Sequence, residues 1–242
     1  MAKITDPKTL FPDIVSDYQE IFGDDLTSII LYGSAAGPDF RPGKSDINFM
    51  IVLSEEAIDQ LDRAFDTVEK WRKKGVAIPL FLTEGYMATS LDVYPIEYLK
   101  FQKNYQMVFG KDILKELSFD NEFLRLQCER EAKGKLLLLR QAFLETAGKS
   151  APLRALAGQA LPAIIALFEA LLYLKGEELP HKKQDVIAAA SASLGVDATV
   201  FEAVRQMGEE KTKPDKTQSM RVIKACLREM RKLSKIVDSL GG

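Results

Sequence analysis

The sequence predicts an α+β protein in two parts: a mixed sheet flanked by helices over residues 1–118, and an all-helical bundle over residues 119–242. Two observations predict it. The first half alternates short apolar, β-branched runs with glycine- and proline-bearing turns, whereas the second half carries long apolar stripes at helical spacing. Charge divides at the same place. Residues 1–119 hold 13 Lys and Arg against 19 Asp and Glu, and residues 120–242 hold 20 against 16.

Leu10, Phe11, Ile14, Val15, Tyr18, Ile21 and Phe22 recur at helical spacing after Asp6-Pro7, and Gly23 follows as a stop. Leu26 to Tyr32 and Ile47 to Leu53 read as two buried strands joined by a polar loop. Ser54, Glu55 and Glu56 open a helix whose stripe is Ile58, Leu61, Phe65, Val68 and Trp71, ended by Gly75. Val76 to Leu82 predicts a third strand and Val93 to Phe101 a fourth, with Pro95 at its start or edge. Beyond Gly110 the helical patterns are Phe123 to Leu144, Leu153 to Leu174 and Met220 to Leu240, and Pro162 is expected to kink the middle one.

Composition excludes several classes. With 46% hydrophobic and 28% charged residues and a net charge of −2, the 242-residue chain is not a strongly basic polyanion binder as a whole, although local basic surfaces remain open. Cys128 and Cys226 have no Cys-x-x-Cys spacing, so neither a disulfide framework nor a structural zinc site is readable. His181 is the single histidine, which removes His-based metal clusters and a Ser-His-Asp triad. The N-terminus lacks the apolar core of a secretory signal, and the longest apolar run, Ala160 to Phe168, falls short of the ~18 residues that span a bilayer. A cytoplasmic protein with no membrane partner is expected.

The segment richest in chemistry runs Leu31-Tyr-Gly-Ser-Ala-Ala-Gly37, then a polar loop, then Ser45-Asp46-Ile47-Asn48-Phe49. Gly33 ends a strand where backbone can approach a ligand, and Ser34 offers an amide and a hydroxyl to phosphate oxygens. Period 2 puts Asp46 and Asn48 on one face of the next strand while Ile47 enters the core. Oxygen ligands so spaced suit a hard cation such as Mg²⁺, which borrows the rest of its shell from substrate phosphates. Lys44 and Arg41 lie in the loop between the two halves, placed either to neutralise a triphosphate or as solvated loop charges.

On Gly33-Ser34, the loop of about ten residues and Asp46-apolar-Asn48, the chain resembles the nucleotidyltransferase superfamily with the DNA polymerase β fold. The likeness is closest to small bacterial proteins that pair this domain with a helical one, including the antibiotic-nucleotidylating branch. It spans about residues 1–115 by motif and the helical half by architecture only. The resemblance implies a nucleoside triphosphate donor and one or two Mg²⁺ ions. It also implies transfer of a nucleoside monophosphate to a hydroxyl, with pyrophosphate released. The acceptor stays open between small molecule, protein and RNA; the acidic first half favours a cationic one.

The resemblance assigns Gly33 and Ser34 to the phosphates, and Asp46, Asn48 and a third carboxylate to metal and catalysis; Lys44 joins the phosphate group by its charge and its place in the loop. Glu97 is expected to supply that carboxylate from the fourth strand, in preference to Asp92, and to draw the proton from the attacking hydroxyl. Asn48 departs from the family pattern, which has a second Asp there. This leaves a second reading open, a catalytically degenerate nucleotide-binding or partner-binding protein, and a homodimer is a further expectation. In the last helix Arg221, Lys224, Arg228, Arg231 and Lys235 lie near one face, either as a solvated surface or as a basic wall for nucleotide or RNA.

Overall fold

A computed structural model of the chain describes residues 4–240. The chain divides into two compact units, the first ending at Phe119 and the second beginning at Asp120.

The first unit is built on four strands, β1 (Leu26–Tyr32), β2 (Asn48–Leu53), β3 (Leu80–Thr83) and β4 (Tyr105–Gly110), in the order β3-β2-β1-β4. β1 pairs antiparallel with β2 and with β4, and β2 pairs parallel with β3, so the sheet is mixed. The two central strands are covered on both faces, which is why they read as largely apolar and β-branched runs. Ile29, Leu31, Phe49 and Ile51 face Ile14, Tyr18 and Phe22 of helix α1 (Phe11–Phe22). Ile30, Met50 and Val52 face Met87 of α4 (Glu84–Ser90) and Tyr98 of α5 (Pro95–Lys103). Polar ties secure the outer layer: Trp71 donates its indole N–H to Asp17 at 2.9 Å, and Lys70 pairs with the same carboxylate.

Three expectations fail here for local reasons. The helix expected from Ser54 to Gly75 is interrupted: α2 (Glu55–Ile58) is followed by a 3₁₀ turn over Leu61–Ala64 and then α3 (Phe65–Lys73). Gln60, at φ −119° and ψ 36°, leaves the helical region between them, so Phe65 falls off the expected stripe and is 70% exposed. Its start is as read, because Ser54 Oγ accepts from the Ala57 N–H at 3.1 Å and so caps α2.

The third strand begins four residues late. Val76 makes only an isolated bridge to Ile47, and pairing resumes at Met50 with Leu80, beyond Pro79, which has no N–H to give a ladder. The fourth strand is displaced altogether: Val93 to Phe101 falls mostly in α5. Pro95 sits at the first helical turn with φ preset for helix, Glu97 lies in the positive first turn, and Lys100 and Lys103 lie in the last. The strand at that edge is β4, nine residues of helix later.

In the second unit α6 (Asn121–Glu145), α7 (Ser150–Leu174), α8 (Lys183–Leu194), α9 (Ala198–Gly208) and α10 (Lys216–Ser239) form a bundle in which α7 packs against the other four. Three of these were expected from sequence; α8 and α9 were not. α7 runs through Pro162, which is exposed, and buries residues all round from Ile164 to Leu172. It is long and apolar enough to cross a membrane, yet 67% of its most apolar window is buried inside the unit, as befits a core helix. Gly158 of α7 and Gly208 of α9 meet backbone to backbone. Cys128 and Cys226 are buried free thiols, and burial pushes each up to about 12.

Candidate functional site

The site assembles where β1 ends. Tyr32, its last residue, pairs with Asn48, the first of β2, and the chain then turns through a 3₁₀ segment over Gly33–Ala36. Gly33 has φ +78°, a left-handed conformation that a side chain resists. A Cβ placed on it would stand 3.7 Å from Asn48 Nδ2, so the turn and the Asn48 amide are immediate neighbours.

The head of β4 fixes this turn. The Gly33 N–H donates to the Asn104 carbonyl at 2.9 Å, and Gln106 Nε2 donates to the Ala36 carbonyl at 3.2 Å. A Cβ on Gly37 would be 2.8 Å from Asn104 Oδ1, so a side chain there would displace the Asn104 amide. Asn104 and Gln106 are thus positioning residues that sequence reading missed; no local pattern distinguishes them, since their partners lie some 70 residues earlier in the chain.

The loop between the two halves closes on itself. The Arg41 carbonyl accepts from the N–H groups of Lys44 and Ser45 at 3.0 and 2.9 Å, and Ser45 Oγ accepts from the Arg41 N–H at 3.0 Å. Lys44 is exposed on this loop. Asp46 is exposed just before β2, Ile47 is buried, and Asn48 is half-buried in step with Met50 and Val52, toward the face that α4 and α5 cover. Among the described residues no hydrogen bond or ion pair engages the side chains of Ser34, Lys44, Asp46 or Asn48. Beside them Tyr32 packs edge-on against Phe101 at 4.9 Å, and burial raises the Tyr32 phenol above its ordinary range.

Glu97 does not join this group as expected. It is on the first turn of α5, and the end of that helix, not its start, meets the Gly33 turn through Asn104. Six residues at 1.5 Å each put it about 9 Å back along the helix axis from Lys103. Asp92 lies in the turn before α5. Nor does the neighbouring strand offer a substitute: Val76 to Thr83 contains no acid, and next to Ile47 stand Ala77, whose N–H donates to the Ile47 carbonyl at 3.0 Å, and Ile78, 62% exposed.

Gly33 and Asn48 are therefore neighbours, with Ser34 next in the turn, Asp46 two residues before Asn48 and Lys44 on the loop leading in, while Glu97 is on another element. Among the described residues no three His, Cys, Asp or Glu side chains converge to hold a metal. One carboxylate and one amide oxygen do not make a resident site for a pair of Mg²⁺ ions. They suit an ion that arrives already bound to phosphates.

Neither a family model nor a curated protein sequence matches the chain. Among solved structures it is similar to spectinomycin adenyltransferase AAD(9) from Enterococcus faecialis, crystallised with ATP and spectinomycin, at a TM-score of 0.57 and 12% identity. The match covers 93% of this chain and 98% of that one. At that identity the likeness is one of fold, and it extends over the sheet unit and the helical unit alike. The chain thus shares the fold of that adenyltransferase, a mixed sheet followed by helices, which is the fold class that the Gly33-Ser34 to Asp46 signature implies.

Proposed function

We propose that this chain binds a nucleoside triphosphate, carrying its own Mg²⁺, at the Gly33 turn, and that it is a nucleotide-binding protein whose transfer chemistry is weakened or lost. The observation that carries the reading is the group of unengaged polar side chains, Ser34, Lys44, Asp46 and Asn48, around a turn held rigid by Asn104 and Gln106. Ser34 offers its hydroxyl and backbone N–H to phosphate oxygens, the Gly33 N–H being held by the Asn104 carbonyl. Lys44 adds a positive charge, and Asp46 and Asn48 offer oxygens to the ion on the phosphates. A neutral amide at position 48 and an acid-free β3 leave one charge where metal-assisted transfer needs several. A cytoplasmic location follows from the need for nucleotide and from the two free thiols.

A second reading is nucleotidyl transfer itself, from the triphosphate to a hydroxyl of a small cationic acceptor with pyrophosphate leaving. It is favoured by the fold neighbour, whose structure holds ATP and an antibiotic, and by the excess of acids in the first unit. Calorimetric titration of ATP, GTP, CTP and UTP with and without Mg²⁺, paired with a pyrophosphate-release assay over hydroxyl-bearing amines, separates the two. Binding that needs Mg²⁺ and weakens about tenfold or more in Asp46→Ala, without pyrophosphate release, supports the first. Release with an acceptor supports the second, and an absence of nucleotide binding overturns both.

A further inference from the structure

The last helix carries a feature that the nucleotide site does not use. α10 buries Ile223, Cys226, Met230, Leu233 and Val237 against the bundle. On its opposite side Arg221, Lys224, Arg228, Arg231 and Lys235 are all exposed. Their alternating spacing of three and four residues confines them to an arc of about 80°, in a straight line about 21 Å long on one rigid helix. Among the described residues no hydrogen bond or ion pair engages any of these five side chains. The two acids of α10 do not neutralise them: Glu229 accepts from the Asp197 N–H at 2.9 Å, and Asp238 pairs with Lys133 at 2.9 Å.

Five like charges held in line repel one another, and a partner with regularly spaced negative charge relieves that repulsion. Among the described residues Leu240, past the helix end, is the only large apolar residue of this segment that stands exposed. A lipid surface would need an apolar edge to bury, and a protein partner an apolar centre. A polyphosphate chain needs neither. No aromatic residue occurs on α10 to stack a base, so the contact would be with the backbone and indifferent to sequence.

We propose that this face of α10 docks the sugar-phosphate backbone of a nucleic acid strand. The inference stands on the second unit alone and does not depend on the nucleotide reading of the Gly33 turn. Fluorescence anisotropy of a labelled single strand of about 20 nucleotides, longer than the ~4–16 that a compact site covers, tests it on the full chain. With five contacts, raising salt from about 50 to about 200 mM should weaken wild-type binding roughly 100-fold. An Arg228→Glu, Arg231→Glu double variant should bind more weakly at low salt and lose only about 20-fold over the same range. Arg221→Gln with Lys224→Gln should behave likewise, and circular dichroism should show all three proteins equally folded. The proposal is overturned if the wild type does not bind the strand at low salt, if the variants bind as the wild type does, or if poly-glutamate or phosphatidylserine vesicles compete as well as unlabelled strand.

Discussion

Asn48 Nδ2 stands 3.7 Å from where a side chain would begin on Gly33, so the residue that departs from the family pattern is in contact with the residue that best keeps it. On the proposed reading, the turn that would take a phosphate is kept at this point, and the charge that would hold metal beside it is missing. Asn48→Asp restores that charge. It should weaken nucleotide binding in the absence of Mg²⁺, by bringing a carboxylate against phosphates, and strengthen it in Mg²⁺ by about tenfold. Titration of the variant in both conditions measures the sign directly, and equal changes in both would mean that the amide does not face the phosphates.

Gly33 tests the turn from the backbone side. The 3.7 Å distance is ordinary contact, so Gly33→Ala meets no steric wall, and its cost comes from φ +78° alone. A loss of about 1–2 kcal/mol in urea unfolding is expected. A cost near zero would show that the turn relaxes to negative φ without penalty.

Gln106→Ala removes the donor that holds the Ala36 carbonyl. Stability should fall by no more than about 1.5 kcal/mol, while nucleotide affinity falls several-fold because the turn is no longer fixed. Affinity unchanged at reduced stability would assign Gln106 to the fold alone.

Three glycines of the bundle should respond with different signs. Gly134 lies within α6 with open space around its missing side chain, so Gly134→Ala should stabilise by about 0.5–1 kcal/mol. Gly208→Ala puts a Cβ 2.8 Å from Gly158 N and Cα and should cost about 1–3 kcal/mol by forcing α7 and α9 apart. Gly158→Ala, which meets the Gly208 carbonyl at 3.2 Å, should cost less than that. Chemical denaturation of the three variants ranks them.

Alkaline pH should destabilise the protein through its buried thiols and a buried phenol. Burial, helped by Glu131 beside Cys128 and Glu229 beside Cys226, pushes both thiols up to about 12, and burial with Asp17 raises the Tyr18 phenol. Unfolded thiols titrate near about 8.5. The folded state keeps protons that the unfolded state gives up, so this stabilisation is complete below about pH 8.5 and is lost as pH rises toward 12. Urea melts at about pH 8 and about pH 11 should show the fall, and a Cys128→Ala, Cys226→Ala protein should show a shallower one.

What the sequence determined by itself is local. Apolar runs marked β1 and β2 because strands buried on both faces leave few polar positions, and the stripes of α6, α7 and α10 announced themselves over six or more turns each. The Gly33-Ser34 and Asp46 signature was legible because a turn after a strand has its own residue preferences. Tertiary structure decided the rest. Pro95 suits the edge of a strand and the first turn of a helix equally, and only tertiary packing, with Tyr98 buried beneath the sheet, chose the helix, taking Glu97 off the sheet with it. Asn104 and Gln106 hold the site through bonds spanning about 70 residues, a relation that exists only once β4 has been laid beside β1. Spacing along the chain fixes which residues share an element, whereas which elements share a site depends on the energy of packing them together.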